Sequence, residues 1–386
     1  MTGRPTVVRR APGKLFIAGE YAVVDPGNPA VLVAVDRYVT VTVSHLPGTT
    51  VEITSDLGPR ARLHWQDTRL TPHDDPDGPD NADGADGSGG SGGGGVPAGL
   101  AYVVSAAQTV ARLLAERGLP LPGFRLSVDS RLHDNGTKYG LGSSGAVTVA
   151  AVDAVSAFCG LRLPPETRYR LAVLATARID PRASCGDLAA STWGGWIAYR
   201  APDRAAVRDL AARHGVHEAL RAPWPQFAVR RLPAPAGLSL EVGWSGSPAS
   251  TTALVSGLDR RAWHGSDSHR AFVAATTDCV RACVTALDHQ DPHGLLKQIR
   301  RARRELARLD DEIGLGIFTP RLTALCDAAE AAGGAAKPSG AGGGDCGIAL
   351  LDADAPRDIE HVRERWAAAG VLPLPLRPAA EGNEKQ

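Results

Sequence analysis

The sequence predicts an α+β protein of two domains. Strands predominate in the first part of the chain, and several helices are predicted in the second. The length of 386 residues is sufficient for two domains, each with its own core. Residues 30–44 alternate apolar and polar side chains, as a half-buried strand does. Three stretches between residues 268 and 332 instead carry apolar side chains at helical spacing.

The composition is typical of a globular protein and favours neither a nucleic-acid nor a membrane partner. The 42 basic and 42 acidic side chains cancel, and 43% of the residues are hydrophobic. A general nucleic-acid-binding protein carries a basic excess, which this sequence lacks. No apolar run approaches the roughly 20 residues that cross a bilayer. Residues 1–14 lack the apolar core of a signal peptide, so we expect no export.

The six cysteines are scattered and form no CxxC pair. Cys279 and Cys283 are four residues apart and can share one helix face, but a zinc site needs further ligands nearby. The pattern therefore favours a protein of the reducing cytoplasm over one with a structural metal.

The first half of the chain predicts a strand, a loop and then a helix between further strands. Residues 73–95 hold six aspartates, no lysine or arginine and almost no apolar residue, which predicts a mobile loop inserted within a domain. Residues 98–120 have helical spacing and end at Gly118 and Pro120. Residues 123–130 alternate as a strand, and a helix is predicted over 145–159.

The second half predicts a sheet covered by helices. A weak change in composition near residues 200–235 separates two predicted domains, 1–215 and 216–376, and residues 377–386 form a predicted frayed tail. The predicted strands of the second domain are 238–244, 346–352 and 371–376, and its predicted helices are 268–289, 292–312, 319–332 and 355–369.

Residues 140–145, "GLGSSG", lie between a predicted strand and a predicted helix. Glycines let backbone amides approach an anion closely, and a helix N-terminus carries about half a positive charge. The stretch is not the common P-loop, because Lys138 precedes the glycines instead of following them. Taken alone, it is equally consistent with a phosphate cradle and with a flexible helix start capped by its serines.

Two further glycine-containing stretches carry a lysine. In residues 11–21, "APGKLFIAGEY", Lys14 stands beside a predicted glycine turn, where a cation can reach a phosphoryl group. Glu20 is by its type more often a surface or capping carboxylate than a ligand. Residues 337–345, "KPSGAGGGD", can form an anion nest to which Ser339 adds a hydroxyl, or simply a tight turn before a buried strand.

Asp187 follows a Ser-Cys-Gly turn and precedes small residues. This position suits a carboxylate that faces a cleft and accepts a proton from a nucleophile. A lone aspartate at such a place is otherwise more often a helix N-cap.

In this order and at these separations, the three glycine-containing stretches resemble the signatures of the GHMP kinases. The matching segments are 11–24, 138–147 and 337–350, and the resemblance extends from residue 8 to about residue 375. Gly-Glu-Tyr in the first segment and "GWSGSPAST" at 243–251 resemble the phosphomevalonate kinase branch, since mevalonate kinases usually have Gly-Glu-His. The resemblance implies an N-terminal ribosomal-protein-S5-like domain, a C-terminal ferredoxin-like domain and a site in the cleft between them.

The resemblance also implies an activity and roles for individual residues. The activity is transfer of the ATP γ-phosphoryl group to 5-phosphomevalonate, with Lys14 and Asp187 as the catalytic pair and Mg2+ accompanying ATP. Ser144 is the expected metal ligand. The residues expected to bind the ATP phosphates are Lys138, Gly140, Leu141, Gly142, Ser143, Ser144 and Gly145, and those expected to bind the acceptor are Arg182, Ser339, Gly340 and Ala341.

One departure from the family pattern concerns the metal. Mevalonate kinases have a magnesium-binding glutamate about three helical turns before the catalytic aspartate, whereas residues 172–180 here contain none. Two alternatives to the expected activity remain at this point: a mevalonate kinase of the same fold, and a non-catalytic protein that senses ATP and a metabolite. The expected partners are the small-molecule substrates, in a monomer or a homodimer.

Overall fold

The computed structural model contains two main sheets with helices packed against them. It describes residues 5–56, 58–72, 96–134, 136–248 and 263–380. The predicted loop at 73–95 and the last three residues of the 243–251 segment lie outside the described residues.

The first sheet has eight strands and begins with the two longest. The strands of this half are β1 (Val7–Ala18), β2 (Pro29–His45), β3 (Thr50–Ser55), β4 (Gly58–Gln66), β5 (Arg69–Pro72), β6 (Phe124–Ser130), β7 (His133–Asp134), β8 (Thr137–Lys138), β9 (Trp196–Arg200) and β10 (Ala228–Leu232). The order is β10-β9-β2-β6-β3-β4-β5, with β1 also antiparallel to β2, while β7 and β8 form a separate hairpin. The predicted strands 30–44 and 123–130 are confirmed as β2 and β6.

The helices of the first half pack against this sheet. They are α1 (Ala101–Glu116), α2 (Ser143–Phe158), α3 (Pro165–Ala177), α4 (Gly186–Trp193) and α5 (Arg204–Arg221), the last interrupted at Gly215. α2 and α4 both contact β1, so the segment 11–18 is covered by two helices whose N-termini lie near each other.

The expectation that no apolar run approaches a membrane span is wrong for α1. The stretch Ala98–Glu116 is long and apolar enough to cross a membrane by length and composition, but 61% of its apolar 18-residue window is buried. α1 contacts α2, α3 and α5, and a core helix needs the same apolar composition as a span.

The second sheet has four antiparallel strands in the order β12-β13-β11-β14. Its strands are β11 (Leu238–Trp244), β12 (Ala335–Pro338), β13 (Cys346–Asp352) and β14 (Leu372–Leu374), and the helices are α6 (Asp267–Asp288), α7 (Pro292–Ile313), α8 (Pro320–Ala331) and α9 (Pro356–Ala368). The four helices and three strands predicted here are confirmed to within about three residues at each end.

The predicted domain boundaries stay predictions, and the pairing of strands bears on two of them. β10 pairs with β9 in the first sheet, so we propose a division between β10 and β11 instead of at residue 215. The predicted frayed tail begins at Arg377, but the Arg377 carbonyl and amide both bond Asp36, and the Ala379 amide donates to the Ala34 carbonyl. These bonds tie the first residues of the tail to β2, and residues 381–386 lie outside the described residues.

Candidate active site

A cleft of about 670 Å3 lies where the glycine loop before α2, strand β1, the turn before α4 and the loop after β12 meet. It brings together most of the side chains that the sequence singled out from four distant segments. The predicted site residues that line it are Lys14, Lys138, Gly140, Gly142, Ser143, Ser144, Gly145, Arg182, Asp187, Gly340 and Ala341.

Lys14 lies inside strand β1, and Gly13, where a turn was predicted beside it, belongs to the same strand. A register shift between Pro12 and Gly13 bends the strand just before it. Its amide donates to the Leu141 carbonyl at 2.9 Å, and its ammonium nitrogen lies 3.5 Å from the Gly140 carbonyl. The side chain is 9% exposed, so its charge acts in a poorly solvated place at the cleft floor.

Helix α2 begins at Ser143 and presents its free N-terminal amides to the cleft. Its N-cap is Gly142 in the left-handed conformation (φ 76°), and no side chain caps it, so the alternative of capping serines is wrong. A Cβ at Gly142 would lie 2.9 Å from Lys14 Cε, which explains glycine at this position. The first-turn amides are therefore available to an anion held beside Lys14.

Asp187 lies in the first turn of α4, whose N-cap is Cys185, so the N-cap alternative is also wrong. Its Oδ1 accepts from the Leu188 amide at 2.9 Å. A Cβ at Gly145 would lie 2.4 Å from Asp187 Oδ2, so α2 and α4 touch through this carboxylate. Burial raises the pKa of Asp187 above its usual value, partly offset by the nearby charge of Lys14.

We expect Asp187→Asn to raise the midpoint of thermal unfolding at pH 7. The raised pKa means that the folded chain binds this proton more tightly than the unfolded chain, so the ionised carboxylate destabilises the fold. The pH-dependent part of the difference in unfolding midpoint between Asp187→Asn and wild type should be largest above the raised pKa of the folded chain. It should vanish below the pKa of the same aspartate in the unfolded chain, which is about 3.9. Thermal unfolding followed at several pH values checks this.

An exposed aspartate provides a control of opposite sign for that experiment. The Arg230 guanidinium holds the pKa of Asp288 below its usual value. Asp288→Asn should therefore lower the unfolding midpoint at pH 7, and the loss should fade as the pH falls. A lower midpoint at pH 7 for Asp187→Asn would contradict the expected role of burial.

Leu141 and Ser339 belong to the predicted site but do not line the cleft. Leu141 is buried and contributes its carbonyl to the Lys14 amide. The Ser339 hydroxyl accepts from the Phe16 amide at 2.9 Å and donates to the Phe16 carbonyl at 3.1 Å. Ser339 therefore joins β1 to the loop after β12, because its hydroxyl both accepts from and donates to the backbone of Phe16.

Lys138 and Arg182 are the cations at the rim of the cleft. Lys138 ends β8 and is exposed. Arg182 is exposed as well, and its amide donates to Asp180 Oδ1 at 2.9 Å. Both side chains line the cleft together with Lys14, and the carboxylates of Asp180, Asp187 and Asp345 line it as well.

Glu20 is buried, whereas its residue type favoured a surface or capping carboxylate. It is 4% exposed and forms an ion pair with Lys337, which is fully buried. Lys337 also donates to the Pro338 carbonyl at 2.8 Å. A carboxylate that directly follows the apolar run 15–19, and a lysine that directly follows two alanines, were the available signals of burial.

Several further polar side chains line the cleft without having been predicted. They are Tyr102, Thr176, Asp180, Ser184 and Asp345. Burial and the charges of Asp180 and Asp187 raise the pKa of Tyr102 to about 12, so its phenol stays protonated. The Thr176 hydroxyl is buried and has no hydrogen-bond partner within the described part of the chain.

A second group of metal-binding residue types lies away from this cleft. His264 and His269 each place Nε2 3.1 Å from a different oxygen of Asp25. The Gly265 amide donates to His269 Nδ1 at 3.1 Å, so neutral His269 keeps its proton on Nε2, facing Asp25. This atom has no free lone pair for a metal, and the group is explained by hydrogen bonds alone.

The family comparisons agree with this geometry. The model of the GHMP kinases N terminal domain matches residues 101–195, and the model of the GHMP kinases C terminal domain matches residues 284–369. The phosphomevalonate kinase of Streptomyces sp. (strain CL190) is 66% identical over 386 residues, covering 99% of each chain. The chain therefore belongs to the GHMP kinase family.

More distant relatives share the fold at lower identity. The mevalonate kinase of Pyrococcus horikoshii is 28% identical over 73% of this chain and 74% of its own length. The structure of Streptococcus pneumoniae phosphomevalonate kinase, solved with phosphomevalonate and AMPPNP, superimposes with a TM-score of 0.80 over 96% of this chain and 99% of that one, at 24% identity. Within the family, the chain belongs with the phosphomevalonate kinases, as its full-length identity to one of them requires.

Proposed function

We propose that this chain transfers the γ-phosphoryl group of ATP to the phosphate of 5-phosphomevalonate, giving 5-diphosphomevalonate and ADP. The observation that carries the proposal is the convergence of Lys14, Asp187 and the uncapped N-terminus of α2 on one cleft, in a chain 66% identical to a phosphomevalonate kinase. The product belongs to isoprenoid biosynthesis by the mevalonate route.

Positioning and charge neutralisation carry most of the catalysis in this proposal. The amides of Ser143, Ser144 and Gly145, at the start of α2, bind the ATP phosphates. Lys14 neutralises charge on the transferring group, from a buried position where the interaction is strong. A phosphate acceptor is already ionised near neutral pH, so Asp187 orients the acceptor more than it removes a proton.

The oxygen donors of the cleft fit a magnesium ion that retains part of its water shell. Ser144 offers a hydroxyl at the helix start, Asp187 and Asp180 offer carboxylates, and the buried Thr176 hydroxyl lacks a partner among the described residues. Mg2+ prefers such oxygen ligands and usually keeps several waters, which can satisfy a hydroxyl like that of Thr176. The ion neutralises the ATP phosphates when bound. Ser144 remains its proposed protein ligand.

The rim cations are placed to bind the anionic ends of the two substrates. Arg182, on the turn that also carries Asp187, is the proposed ligand of the acceptor phosphate, and Lys138 of an ATP phosphate. Gly340 and Ala341 line the cleft together with Tyr21, whose hydroxyl donates to the Ala341 carbonyl. The cleft thus offers the cations Lys14, Lys138 and Arg182 among its lining residues.

The proposal is tested by the choice of acceptor. In a coupled assay of ADP release, we expect turnover with 5-phosphomevalonate and background rates with mevalonate, because Arg182 gains its partner only from a phosphorylated acceptor. Turnover of mevalonate alone would overturn the proposal and establish the mevalonate kinase alternative. ATP binding without ADP release from either acceptor would favour the sensor.

The proposed compartment is the cytoplasm. Five of the six cysteines are free thiols buried in the structure: Cys185, Cys279, Cys283, Cys326 and Cys346. Cys279 and Cys283 share the buried face of α6, and within the described ranges no carboxylate or histidine joins them in a metal-binding group. A monomer or a homodimer remains the expected assembly.

A further inference from the structure

Two buried tyrosines lie behind the turn that carries Arg182 and Asp187. Tyr169, on α3, and Tyr199, on β9, are 0% and 1% exposed, and their hydroxyl oxygens are 2.9 Å apart. Aromatic rings surround them, with Phe227 stacked on Tyr169 at 4.8 Å between centroids. Two hydroxyls in such an apolar cluster must satisfy each other or reach a further partner.

The further partner of Tyr199 is the backbone of the turn. Its hydroxyl donates to the Ser184 carbonyl at 2.7 Å. A phenol has one proton, so Tyr199 must accept from Tyr169 at the 2.9 Å contact. Burial holds the pKa of both phenols well above the usual value, so neither loses its proton at physiological pH. The pair is a directed relay from Tyr169 through Tyr199 to Ser184.

Among the described residues, the other hydrogen bonds of the turn 182–186 join it to neighbours within a few residues along the chain. The Ala183 amide donates to the Asp180 carbonyl at 3.3 Å, and the Ala189 amide to the Cys185 carbonyl at 3.2 Å. Cys185 adopts the left-handed conformation (φ 61°), which is unfavourable for a residue with a side chain. The bond from Tyr199 therefore ties the turn that carries Asp187 to β9, in addition to the packing of Gly186 against Leu32 and Phe16.

We propose that Tyr199 is a positioning residue for the phosphoryl-transfer site, acting through the Ser184 carbonyl on Arg182, Ser184 and Asp187. The inference rests on the proposed function. The bond from Tyr199 fixes the buried side of the turn, while Ser184 and Asp187 line the cleft on the other side. Tyr169 donates its hydroxyl proton to the Tyr199 oxygen and makes no hydrogen bond to the turn among the described residues.

The test compares two phenylalanine variants, each of which lacks one buried hydroxyl. Tyr199→Phe leaves the Ser184 carbonyl without its donor, and we expect kcat with 5-phosphomevalonate to fall by about 10- to 100-fold, because small displacements at a reacting centre have effects of that size. The KM for the acceptor should rise, and the KM for ATP should stay within about twofold, since the loop before α2 is untouched. Tyr169→Phe keeps the Ser184 bond and should leave kcat within about twofold of wild type.

The double variant Tyr169→Phe/Tyr199→Phe covers the case in which Tyr199→Phe does not fold. It removes both hydroxyls, so no buried phenol is left unpaired and only the Ser184 carbonyl lacks a partner. It should show the same loss of kcat and the same split between the two KM values.

Equal kinetic constants in all folded variants, with only the thermal midpoint changed, would overturn the positioning role. An equal kcat loss in Tyr169→Phe would also overturn it, because that variant retains the bond to the turn. Failure of the proposed function is distinguishable, since it would appear as absent turnover of 5-phosphomevalonate by the wild-type protein itself.

Discussion

Lys14→Met should lower kcat for 5-phosphomevalonate by about 1,000-fold while changing the KM for ATP little. Removing one preorganised charge or donor from a transition state costs about 100- to 1,000-fold in kcat. Lys14 should lie at the upper end of this range, because its ammonium is poorly exposed and the α2 N-terminus lies beside it. Steady-state kinetics with both substrates varied checks the prediction.

Two companion variants separate the role of Lys14 from charge in general. Lys138→Met removes an exposed rim cation, which should raise the KM for ATP by a few fold and leave kcat nearly unchanged, since exposed charges are well screened. Lys14→Arg keeps the charge but should be almost as inactive as Lys14→Met. The Lys14 stem packs closely against Gly142, and the broad, planar guanidinium would place its charge at a different point from the compact ammonium.

Either of two results would contradict this account of Lys14. A kcat loss below about tenfold in Lys14→Met would mean that the α2 amides and the metal suffice without the lysine. Full activity in Lys14→Arg would mean that any cation at the cleft floor suffices, and that the close packing against Gly142 is irrelevant to the reaction.

The elements that the sequence predicted well are those with one buried face. α7 shows this clearly, because Leu295, Ile299, Leu306 and Leu309 are buried while charged residues face solvent. Helix α3 was missed for the opposite reason. Its residues Leu171–Ala177 are all buried, so this half of the helix has no polar face and shows no amphipathic periodicity.

The candidate site was predictable where the local sequence dictates the chemistry, as in the glycine loop before α2. It was not predictable where a contact over hundreds of residues decides the role. The Ser339 hydroxyl bonds the backbone of Phe16, which is 323 residues away in the chain. Glu20 forms an ion pair with Lys337, which is 317 residues away. Nothing near either residue in the sequence specifies its distant partner, so their roles emerge only once the two sheets are assembled.

Glu20→Met should destabilise the fold by about 3–5 kcal/mol, the usual cost of breaking a buried ion pair by removing one partner. Glu20 and Lys337 are almost completely inaccessible, and Glu20 Oε1 also lies 3.5 Å from the Gly340 amide. Methionine fills a similar volume, so the loss reflects a Lys337 cation whose remaining hydrogen-bond partner, among the described residues, is the Pro338 carbonyl. The midpoint of urea unfolding, followed by tryptophan fluorescence, measures the effect.

The double variant Glu20→Met/Lys337→Met decides whether the uncompensated charge is the cause. Replacing both partners of a buried pair by apolar residues of similar size is often neutral or stabilising. We therefore expect the double variant to recover most of the stability lost in Glu20→Met, and the two substitutions to be strongly non-additive. A double variant as unstable as the single one would instead assign the loss to the Gly340 contact and to the shape of the loop after β12, which forms one wall of the cleft.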